Sequence, residues 1–224
     1  MMSELFDTWT DKYDHWFETP AGVLIKQYES ELLLELLDPV AGETILDVGC
    51  GTGIFTRDVM ACGPVMTGID LSWPMLKKAV EKICAASFTG TCADMCSLPF
   101  PDQSFDKVFS MTAIEFVADA KKAIAELNRV TRKGGRIVLT TLNSLSPWAE
   151  KRQLKAKNGH SLFQNIFFRS PDDMRCLVPH HSIIKTAIHF QKQDPVSDIP
   201  EIECNGKNNH LDTGAFLAVQ WNKI

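Results

Sequence analysis

Residues 44–55, TILDVGCGTGIF, constrain the fold of this chain more than any other stretch. An apolar run ends in Asp47, glycines follow at positions 49, 51 and 53, and helical spacing begins directly after them. Glycine is needed where the backbone takes a positive φ or where a ligand must come close to the main chain. The helix that follows offers free N–H groups to a polar or anionic ligand. The pattern therefore predicts a strand, a tight turn and a helix start that together suit a nucleotide-like ligand.

The glycine spacing argues against two common nucleotide sites. A dinucleotide fingerprint needs a third glycine where this chain has Ile54 or Thr56, depending on the glycine from which one counts. A P-loop needs a lysine after the glycines, and residues 43–55 contain none. A nicotinamide oxidoreductase is therefore the weaker alternative, and a phosphate cradle is weaker still.

Three acids recur along the chain at the ends of predicted strands. Asp47, Asp70 and Asp94 are separated by about 23 residues, close to the length of one strand, one crossover helix and their turns. Parallel strands in such a repeat end at the same edge of the sheet, where open α/β sheets bind ligands. We expect the three carboxylates to lie along that edge.

The remaining periodicity completes an α/β fold. Further strands are predicted at about 65–70, 88–93, 107–111 and 136–141, separated by helical stripes. Residues 181–190 and 215–221 are strand-like and are predicted to form an antiparallel pair at the sheet edge, with a polar stretch at 191–212 between them. The predicted fold is a doubly wound, seven-stranded, mostly parallel sheet of the Rossmann-like kind.

Composition bounds the class of protein. The 224 residues fit one domain, 1–224, and the mean hydropathy of −0.07 is a globular value. No apolar run approaches the roughly 18 residues that span a bilayer, and the acidic, aromatic start is unlike a secretory signal, so we expect a cytoplasmic protein without integral membrane association. The net charge of −5 argues against a nucleic-acid partner.

The cysteines point to neither disulfides nor metal. There are seven, they are scattered, and Cys50 lies inside the glycine turn, where a bridge would distort the backbone. Cys92 and Cys96 are the only close pair, and no second pair with metal-site spacing accompanies them. We expect reduced thiols and no metal site.

Two segments carry a family resemblance. The run from Asp47 to Gly53, DVGCGTG, resembles the first motif of the class I S-adenosylmethionine-dependent methyltransferases, and residues 98–106, LPFPDQSFD, resemble the family's bridge to the fourth strand. Within the family the chain is most similar to the small-molecule group that includes ubiquinone and menaquinone biosynthesis enzymes. The resemblance implies S-adenosylmethionine as cofactor, S-adenosylhomocysteine as product and a small-molecule acceptor. A methyltransferase-like binding or regulatory module remains the alternative, and monomer and homodimer both stay open.

Each part of S-adenosylmethionine asks for a different partner. Asp70 is placed to accept hydrogen bonds from the ribose hydroxyls, because a carboxylate can accept both. Asp94, beside Leu71 or Met95, is expected to meet the adenine, while Asp47 and the glycine turn would hold the methionine end. The resemblance adds Tyr13, near the methionine end, and Met111, near the sulfonium. The predicted cofactor-binding residues are Tyr13, Asp47, Gly49, Cys50, Gly51, Gly53, Asp70, Leu71, Asp94, Met95 and Met111.

The catalytic residues are less constrained. Methyl transfer from a sulfonium has a neutral leaving group, so positioning can suffice and a base matters only for a hydroxyl or carbon acid. Glu115 and Tyr13 are the predicted catalytic residues, with His160 a third candidate base. Many relatives carry a histidine soon after the fourth strand, whereas here Phe116 follows Glu115.

Acceptor choice is expected to reside in a cover over the sheet edge. Residues 1–38, rich in aromatics, are predicted to form an N-terminal helical cover, and residues 142–170 an insertion or lid. Together these segments supply aromatic walls, which would suit a planar or apolar acceptor, and the cations Arg152, Lys155 and Arg169, which could hold an anionic group on it. The alternative is that the lysines form a solvated helix face.

Overall fold

The structure, a computed structural model, describes residues 6–7, 9–159 and 163–224. Strands alternate with helices through most of these residues. The strands are β1 (Thr44–Val48), β2 (Val65–Asp70), β3 (Phe88–Cys92), β4 (Phe105–Ser110), β5 (Thr131–Leu142), β6 (Ile183–Ala187) and β7 (Phe216–Asn222). The helices are α1 (Thr10–Glu18), α2 (Pro20–Leu37), α3 (Ile54–Met60), α4 (Trp73–Ile83), α5 (Ala120–Val130), α6 (Pro147–Lys157), α7 (Pro171–Leu177) and α8 (Ile199–Asn208), with 3-10 turns at Ile114–Phe116 and Phe163–Asn165.

The strands form one sheet in the order β3-β2-β1-β4-β5-β7-β6. β1 pairs in parallel with β2 and β4, and the outer pairs β2–β3 and β4–β5 are parallel as well. β7 runs antiparallel to both β5 and β6. The predicted doubly wound sheet with an antiparallel edge pair is therefore confirmed. The strand order reverses between β1 and β4, which is where open α/β sheets leave a crevice for ligands.

Alternating side chains of the strands feed two hydrophobic clusters. Ile45 belongs to the cluster that packs against α2 and α3, whereas its neighbour Leu46 belongs to the cluster that packs against α5. Successive strand residues point to opposite faces of a sheet, so the two clusters lie on opposite faces. Among the described residues, no helix is long and apolar enough to cross a bilayer.

Element ends differ from expectation in identifiable ways. The helix after the glycine turn was expected to reach Gly63 but ends at Met60, and a turn follows to Gly63, whose φ is 87°. β5 was expected from Arg136 but begins at Thr131. There, Gly135 passes so close to β4 that an added Cβ would lie 2.5 Å from the Asp106 carbonyl oxygen, so only glycine allows the extended path.

Helix α8 lies in the stretch that was expected to be polar connection. Its buried positions are Ile199, Glu203 and Gly206, so its inward face carries an acid and a glycine where periodicity analysis looks for apolar residues. The glycine has a packing role, because a Cβ there would lie 2.4 Å from the ring of His189.

Glu203 binds the backbone directly after β6. Its buried carboxylate accepts hydrogen bonds from the backbone N–H groups of Ile188, His189 and Phe190, and its Oε2 lies 3.2 Å from His189 Nδ1. Burial favours the neutral form of His189, but the Glu203 carboxylate outweighs that effect, and the net pKa of the ring is raised. One side chain thus satisfies three successive backbone donors after the strand.

We expect Glu203→Gln to lower the free energy of unfolding by about 1 to 3 kcal/mol, because hydrogen bonds to a charged acceptor are lost at a buried site. Urea denaturation at neutral pH measures the change. Glu201→Gln, an exposed acid on the same helix, is the matched control and should change stability little. Equal effects of the two variants would contradict this role of Glu203.

Candidate functional site

The turn after β1 depends on glycines in left-handed conformations. Gly49, Gly51 and Gly53 have φ values of 77°, 54° and 78°. A Cβ at Gly49 would lie 2.5 Å from the Cβ of Ala113, so the turn packs directly against the segment that follows β4. The N–H of Gly49 donates to the Ile69 carbonyl at 2.8 Å, which ties the turn to β2 as well. Side chains at these positions would strain the turn.

Asp70 joins this turn to the end of β2. Its Oδ2 accepts from the Gly51 N–H at 2.8 Å, and its Oδ1 accepts from the Ser72 N–H at 2.8 Å. Burial raises the pKa of Asp70, and the two backbone hydrogen bonds oppose that rise. Each carboxylate oxygen can accept more than one hydrogen bond, so Asp70 keeps the capacity to bind a pair of hydroxyls.

A cavity opens at the carboxyl ends of β1, β2 and β4, and we call it the edge cavity. It contains about 810 Å³ of space, counting its open mouth. Its walls are mainly apolar, with Asp70 and Asp94 as the acids. The lining residues are Phe6, Tyr13, Gly49, Gly51, Ile69, Asp70, Leu71, Ser72, Met75, Ala93, Asp94, Met95, Met111, Thr112, Ala113, Phe116 and Val117.

Eight of the eleven predicted cofactor-binding residues line this cavity; Asp47, Cys50 and Gly53 do not. The Asp47 carboxylate is buried beneath the turn, where Oδ2 accepts from the Thr56 hydroxyl at 2.6 Å and Oδ1 has no partner among the described residues. Burial raises its pKa to about 7. The Cys50 thiol is buried and its pKa is raised by burial, and Gly53 packs against Ala79 of α4. Asp47, Cys50 and Gly53 thus belong to the support of the glycine turn and do not line the cavity.

The far end of the cavity is formed after β3. Asp94 is exposed, and its Oδ1 accepts from the Cys96 N–H at 2.8 Å. Met95 is buried beside it, while the side chain of Leu71 is half exposed across the cavity. At this end of the cavity the Asp94 carboxylate is thus a hydrogen-bond acceptor between the apolar side chains of Leu71 and Met95.

The backbone is strained at Thr112, which lines the edge cavity just after β4. It has a φ of 45°, a left-handed conformation that β-branched residues rarely adopt, and its N–H donates to the Thr140 hydroxyl at 2.9 Å. Such strain persists only where the surroundings enforce it, and it concentrates at functional sites. Here it directs the chain after β4 across the glycine turn.

Helix α1 is fastened over the glycine turn by Asp14. Its carboxylate accepts from the Thr52 hydroxyl at 2.6 Å and pairs with Lys78 at 2.8 Å and Lys82 at 2.6 Å. Burial alone would raise the pKa of Asp14, but these partners lower it below the ordinary value. We call this set of contacts the Asp14 tether.

The tether places Tyr13 above the turn. A Cβ at Gly51 would lie 3.9 Å from the Tyr13 ring, and Tyr13 packs edge-to-face on Phe17 at 5.2 Å. Burial, followed by the charges of Glu29 and three other carboxylates, raises the pKa of Tyr13 far above its ordinary value. The phenol therefore stays protonated at neutral pH, which suits a hydrogen-bond donor and disfavours a general base.

Glu115 is buried in the 3-10 turn that follows β4, and it does not line the edge cavity. It is 1% exposed, and its Oε2 has no hydrogen-bond partner among the described residues. Burial raises its pKa to about 7, and the charges of Arg152 and Arg169 oppose the rise. A carboxyl that titrates near neutral pH is matched to general base or acid work. His160, the other candidate base, lies outside the described residues.

The side chain of Arg169 binds backbone carbonyl groups. Its guanidinium donates to the carbonyls of Ile114 at 3.0 Å and Phe167 at 3.2 Å, and it is 8% exposed. It therefore fastens the C-terminal end of the insertion to the 3-10 turn that carries Glu115, and it does not line the edge cavity.

Glu29 is a buried acid that the sequence analysis did not single out, and it does not line the edge cavity. It lies on the buried face of α2, is 6% exposed, and its pKa is raised by burial from 4.5 to about 8. The charges of Arg152 and Glu115 also act on it. The available signal was an acid within the apolar stripe of α2, four residues after Ile25 and three before Leu32.

A second cavity lies on the other side of Tyr13, and we call it the basic cavity. It contains about 1670 Å³, counting its open mouth, and Tyr13 borders both cavities. Its lining residues are Trp9, Lys12, Tyr13, His15, Trp16, Thr19, Leu142, Trp148, Lys151, Arg152, Lys155, Phe163, Lys192 and Gln193. Across the described residues, no group of three or more His, Cys, Asp or Glu side chains is arranged to hold a metal ion.

Comparison with known proteins identifies the domain. The profile of the family described as "Methyltransferase domain" matches residues 46–139, from β1 into β5. A malonyl-(acyl-carrier protein) O-methyltransferase of Hamiltonella defensa is 35% identical over 158 residues, covering 70% of this chain and 59% of the relative. A demethylmenaquinone methyltransferase of Thermobifida fusca is 31% identical over 147 residues, covering 64% of this chain and 62% of the relative. The chain thus spans about three fifths of these relatives' length.

A solved structure agrees with the fold. The crystal structure of an S-adenosylmethionine-dependent methyltransferase from Thermotoga maritima superimposes with a TM-score of 0.74, covers 99% of both chains and is 17% identical. At that identity the likeness establishes the architecture alone.

The raised pKa of Glu29 has a measurable consequence for stability. Between its ordinary 4.5 and about 8, the folded chain holds a proton that the unfolded chain has lost. The contribution of Glu29 to stability is therefore fully present below about pH 4.5 and is lost as the pH rises toward 8. Glu29→Gln removes this dependence. We expect the unfolding free energy of the variant, relative to wild type, to increase by at least about 1.4 kcal/mol between pH 5 and pH 8.

Chemical denaturation at the two pH values measures this difference. Glu31→Gln, an exposed acid on the same helix, is the control and should show the same offset at both. A pH-independent offset for Glu29→Gln would mean that Glu29 is ionised in the folded protein.

Proposed function

Because the chain carries a class I S-adenosylmethionine-dependent methyltransferase domain, we propose that it transfers a methyl group from S-adenosylmethionine to a small-molecule acceptor. The observation that carries this proposal is Asp70, anchored on the glycine turn and facing a cavity at the reversal point of the sheet. The relatives named above act on malonyl-(acyl-carrier protein) and on demethylmenaquinone. For this chain we propose a small acceptor, free or carried, bound outside the edge cavity.

The edge cavity fits the cofactor group by group. Asp70 retains acceptor capacity for the ribose hydroxyls, and Asp94 offers an acceptor to the adenine amino group between Leu71 and Met95. Gly51 leaves the space below Tyr13 open, where a Cβ would otherwise project. Asp47 would act on the methionine end by its charge from beneath the turn, without lining the cavity. These positions support the proposal at the ribose and adenine ends of the cofactor.

Catalysis follows from positioning. When bound, the cofactor supplies a methyl group on a sulfonium. Transfer of that methyl group leaves a neutral thioether, so no acid is needed for the leaving group. Tyr13, protonated and located between the two cavities, would orient the acceptor by donating a hydrogen bond. Glu115, whose pKa burial raises to about 7, would take the proton from a hydroxyl or carbon acid that reaches it, but it lines neither cavity. The aromatic walls exclude water from the transfer.

The proposal also assigns roles to the two segments predicted to cover the sheet edge. We propose that residues 1–224 form one domain in which 1–38 cover the cofactor and 142–170 form a lid over the acceptor. Helix α1 supports this, because Tyr13 borders both cavities, and α6 supports it, because Trp148 and Arg152 line the basic cavity. Lids of this kind exclude water and complete a site on binding.

The cofactor assignment predicts selective binding. We expect S-adenosylhomocysteine to bind the purified protein in isothermal titration calorimetry, and NAD not to bind, because the turn lacks the third glycine of the dinucleotide fingerprint. Transfer of radiolabelled methyl groups to a metabolite panel then separates an enzyme from a module that only binds the cofactor. Tight binding of NAD in competition with S-adenosylhomocysteine would refute the assignment.

The ribose assignment predicts the effect of Asp70→Asn. The variant keeps the shape of the side chain but loses its charge, so S-adenosylhomocysteine affinity should fall by about 1.5 to 3 kcal/mol, the range for hydrogen bonds to a charged group. Asp58→Asn removes a partly buried aspartate that pairs with Lys26 away from the cavity, and its affinity should match wild type. Unchanged affinity in Asp70→Asn with a lowered melting temperature would make Asp70 a purely structural cap.

A further inference from the structure

The basic cavity differs sharply in charge from the chain that contains it. The chain has a net charge of −5, yet the described lining of this cavity includes five Lys and Arg residues, one His and no Asp or Glu. Three tryptophans and Phe163 supply much of the remaining wall. A concentration of one sign of charge in a cleft raises the local concentration of ligands of the opposite sign.

The cations of this cavity are not paired with acids. Among the described residues, no carboxylate oxygen lies within 4.0 Å of the charged nitrogens of Lys12, Lys151, Arg152, Lys155 or Lys192. Lys151 donates instead to the neutral amide oxygens of Gln191 at 3.0 Å and Gln193 at 3.1 Å. Elsewhere lysines do pair with acids, as in Lys26, Lys78, Lys82, Lys107, Lys185 and Lys207.

Arg152 distinguishes the cavity from a solvated helix face. Lysines on α6 alone would be ordinary surface charges, but Arg152 has a buried NH1 that finds no hydrogen-bond partner among the described residues. Its guanidinium also lies over the ring of Trp148, 5.6 Å from the centroid. A buried, unpaired guanidinium nitrogen is costly unless an acceptor meets it. The nearby acids Glu29 and Glu115 act on Arg152 by their charge, but among the described residues neither makes a hydrogen bond to the unpaired NH1.

The aromatic wall adds a preference for shape. Trp16, Trp148 and Tyr13 border the same space as Arg152. Indole and phenol rings pack favourably on planar apolar groups, and a guanidinium fork matches the two oxygens of a carboxylate. Arg152 is the one Lys or Arg of the described lining that has a buried, unpaired donor, which suits a single negative charge at the inner end of a ligand.

We propose that the basic cavity binds the methyl acceptor and that this acceptor is a planar, apolar molecule with a carboxylate held by Arg152. The proposal rests on the function proposed above and specifies its substrate class. Tyr13 borders both cavities, so the acceptor reaches the edge cavity beside Tyr13. The carboxylate serves as the anchor at Arg152.

Matched ligand pairs test the charge preference. The probes are benzoate, 2-naphthoate and indole-3-acetate, each beside its neutral amide, titrated into the full chain with S-adenosylhomocysteine present and followed by calorimetry. At least one carboxylate should bind about tenfold or more tightly than its amide, because charge-assisted hydrogen bonds to arginine are lost in the amide. No preference in any pair, or tighter binding of 2-naphthyl phosphate than of 2-naphthoate, would overturn the proposal.

Substitutions of Arg152 test whether this residue holds the carboxylate. Arg152→Met should remove the preference for the carboxylate while leaving the affinity for the amide and for S-adenosylhomocysteine unchanged, and Arg152→Lys should restore part of it because charge returns without the planar fork. Arg175→Met, at an exposed arginine of α7 outside this cavity, is the control and should behave as wild type. Equal loss in Arg152→Met and Arg175→Met, or none in either, would refute the anchor.

The two proposals fail separately. If S-adenosylhomocysteine does not bind but the carboxylates bind through Arg152, the proposed cofactor function is wrong and the anion site stands. If S-adenosylhomocysteine binds and the carboxylates show no Arg152-dependent preference, the acceptor class is wrong and the cofactor site stands. Binding of S-adenosylhomocysteine is measured alone, before any carboxylate is added.

Discussion

The hydrogen bond from the Gly51 N–H to Asp70 connects the parts of the site. It holds the turn after β1 against the end of β2, and the Ser72 N–H on the other oxygen fixes the start of α4 to the same carboxylate. Gly49, packed against Ala113, adds the segment after β4 to this arrangement. Because three chain segments meet through these contacts, the geometry of the edge cavity depends on the left-handed turn between them.

The sequence was sufficient for the sheet and for most of the edge cavity, for a physical reason. Strand periodicity and the acids at strand ends are local signals, and parallel topology brings the ends of successive strands together without further information. Asp70 and Asp94 were therefore predictable as neighbours. Whether a side chain at a strand end points forward or back is not local, which is why Asp47 proved to lie beneath the turn, bonded to Thr56.

The cluster of buried charges around Arg152 could not be predicted in the same way. Glu29, Glu115 and Arg152 come from α2, from the 3-10 turn after β4 and from α6, and nothing in their local sequence marks them as neighbours. Arg152 was noted only as one of several cations in a basic run, and burial distinguishes it from Lys155 beside it on the same helix. Helix α8 was missed for a related reason, since the buried Glu203 and Gly206 interrupt its apolar face.

The Asp14 tether has a consequence for the order of events at the site. Tyr13 stands over Gly51 while Asp14, the next residue, is bound to Thr52, Lys78 and Lys82. A ligand beneath Tyr13 would exchange more readily when α1 moves away, and that motion separates two lysines from one carboxylate. Salt weakens such pairs where solvent reaches them. Ionic strength would therefore affect how firmly α1 is held over the glycine turn, and with it how long a ligand stays beneath Tyr13.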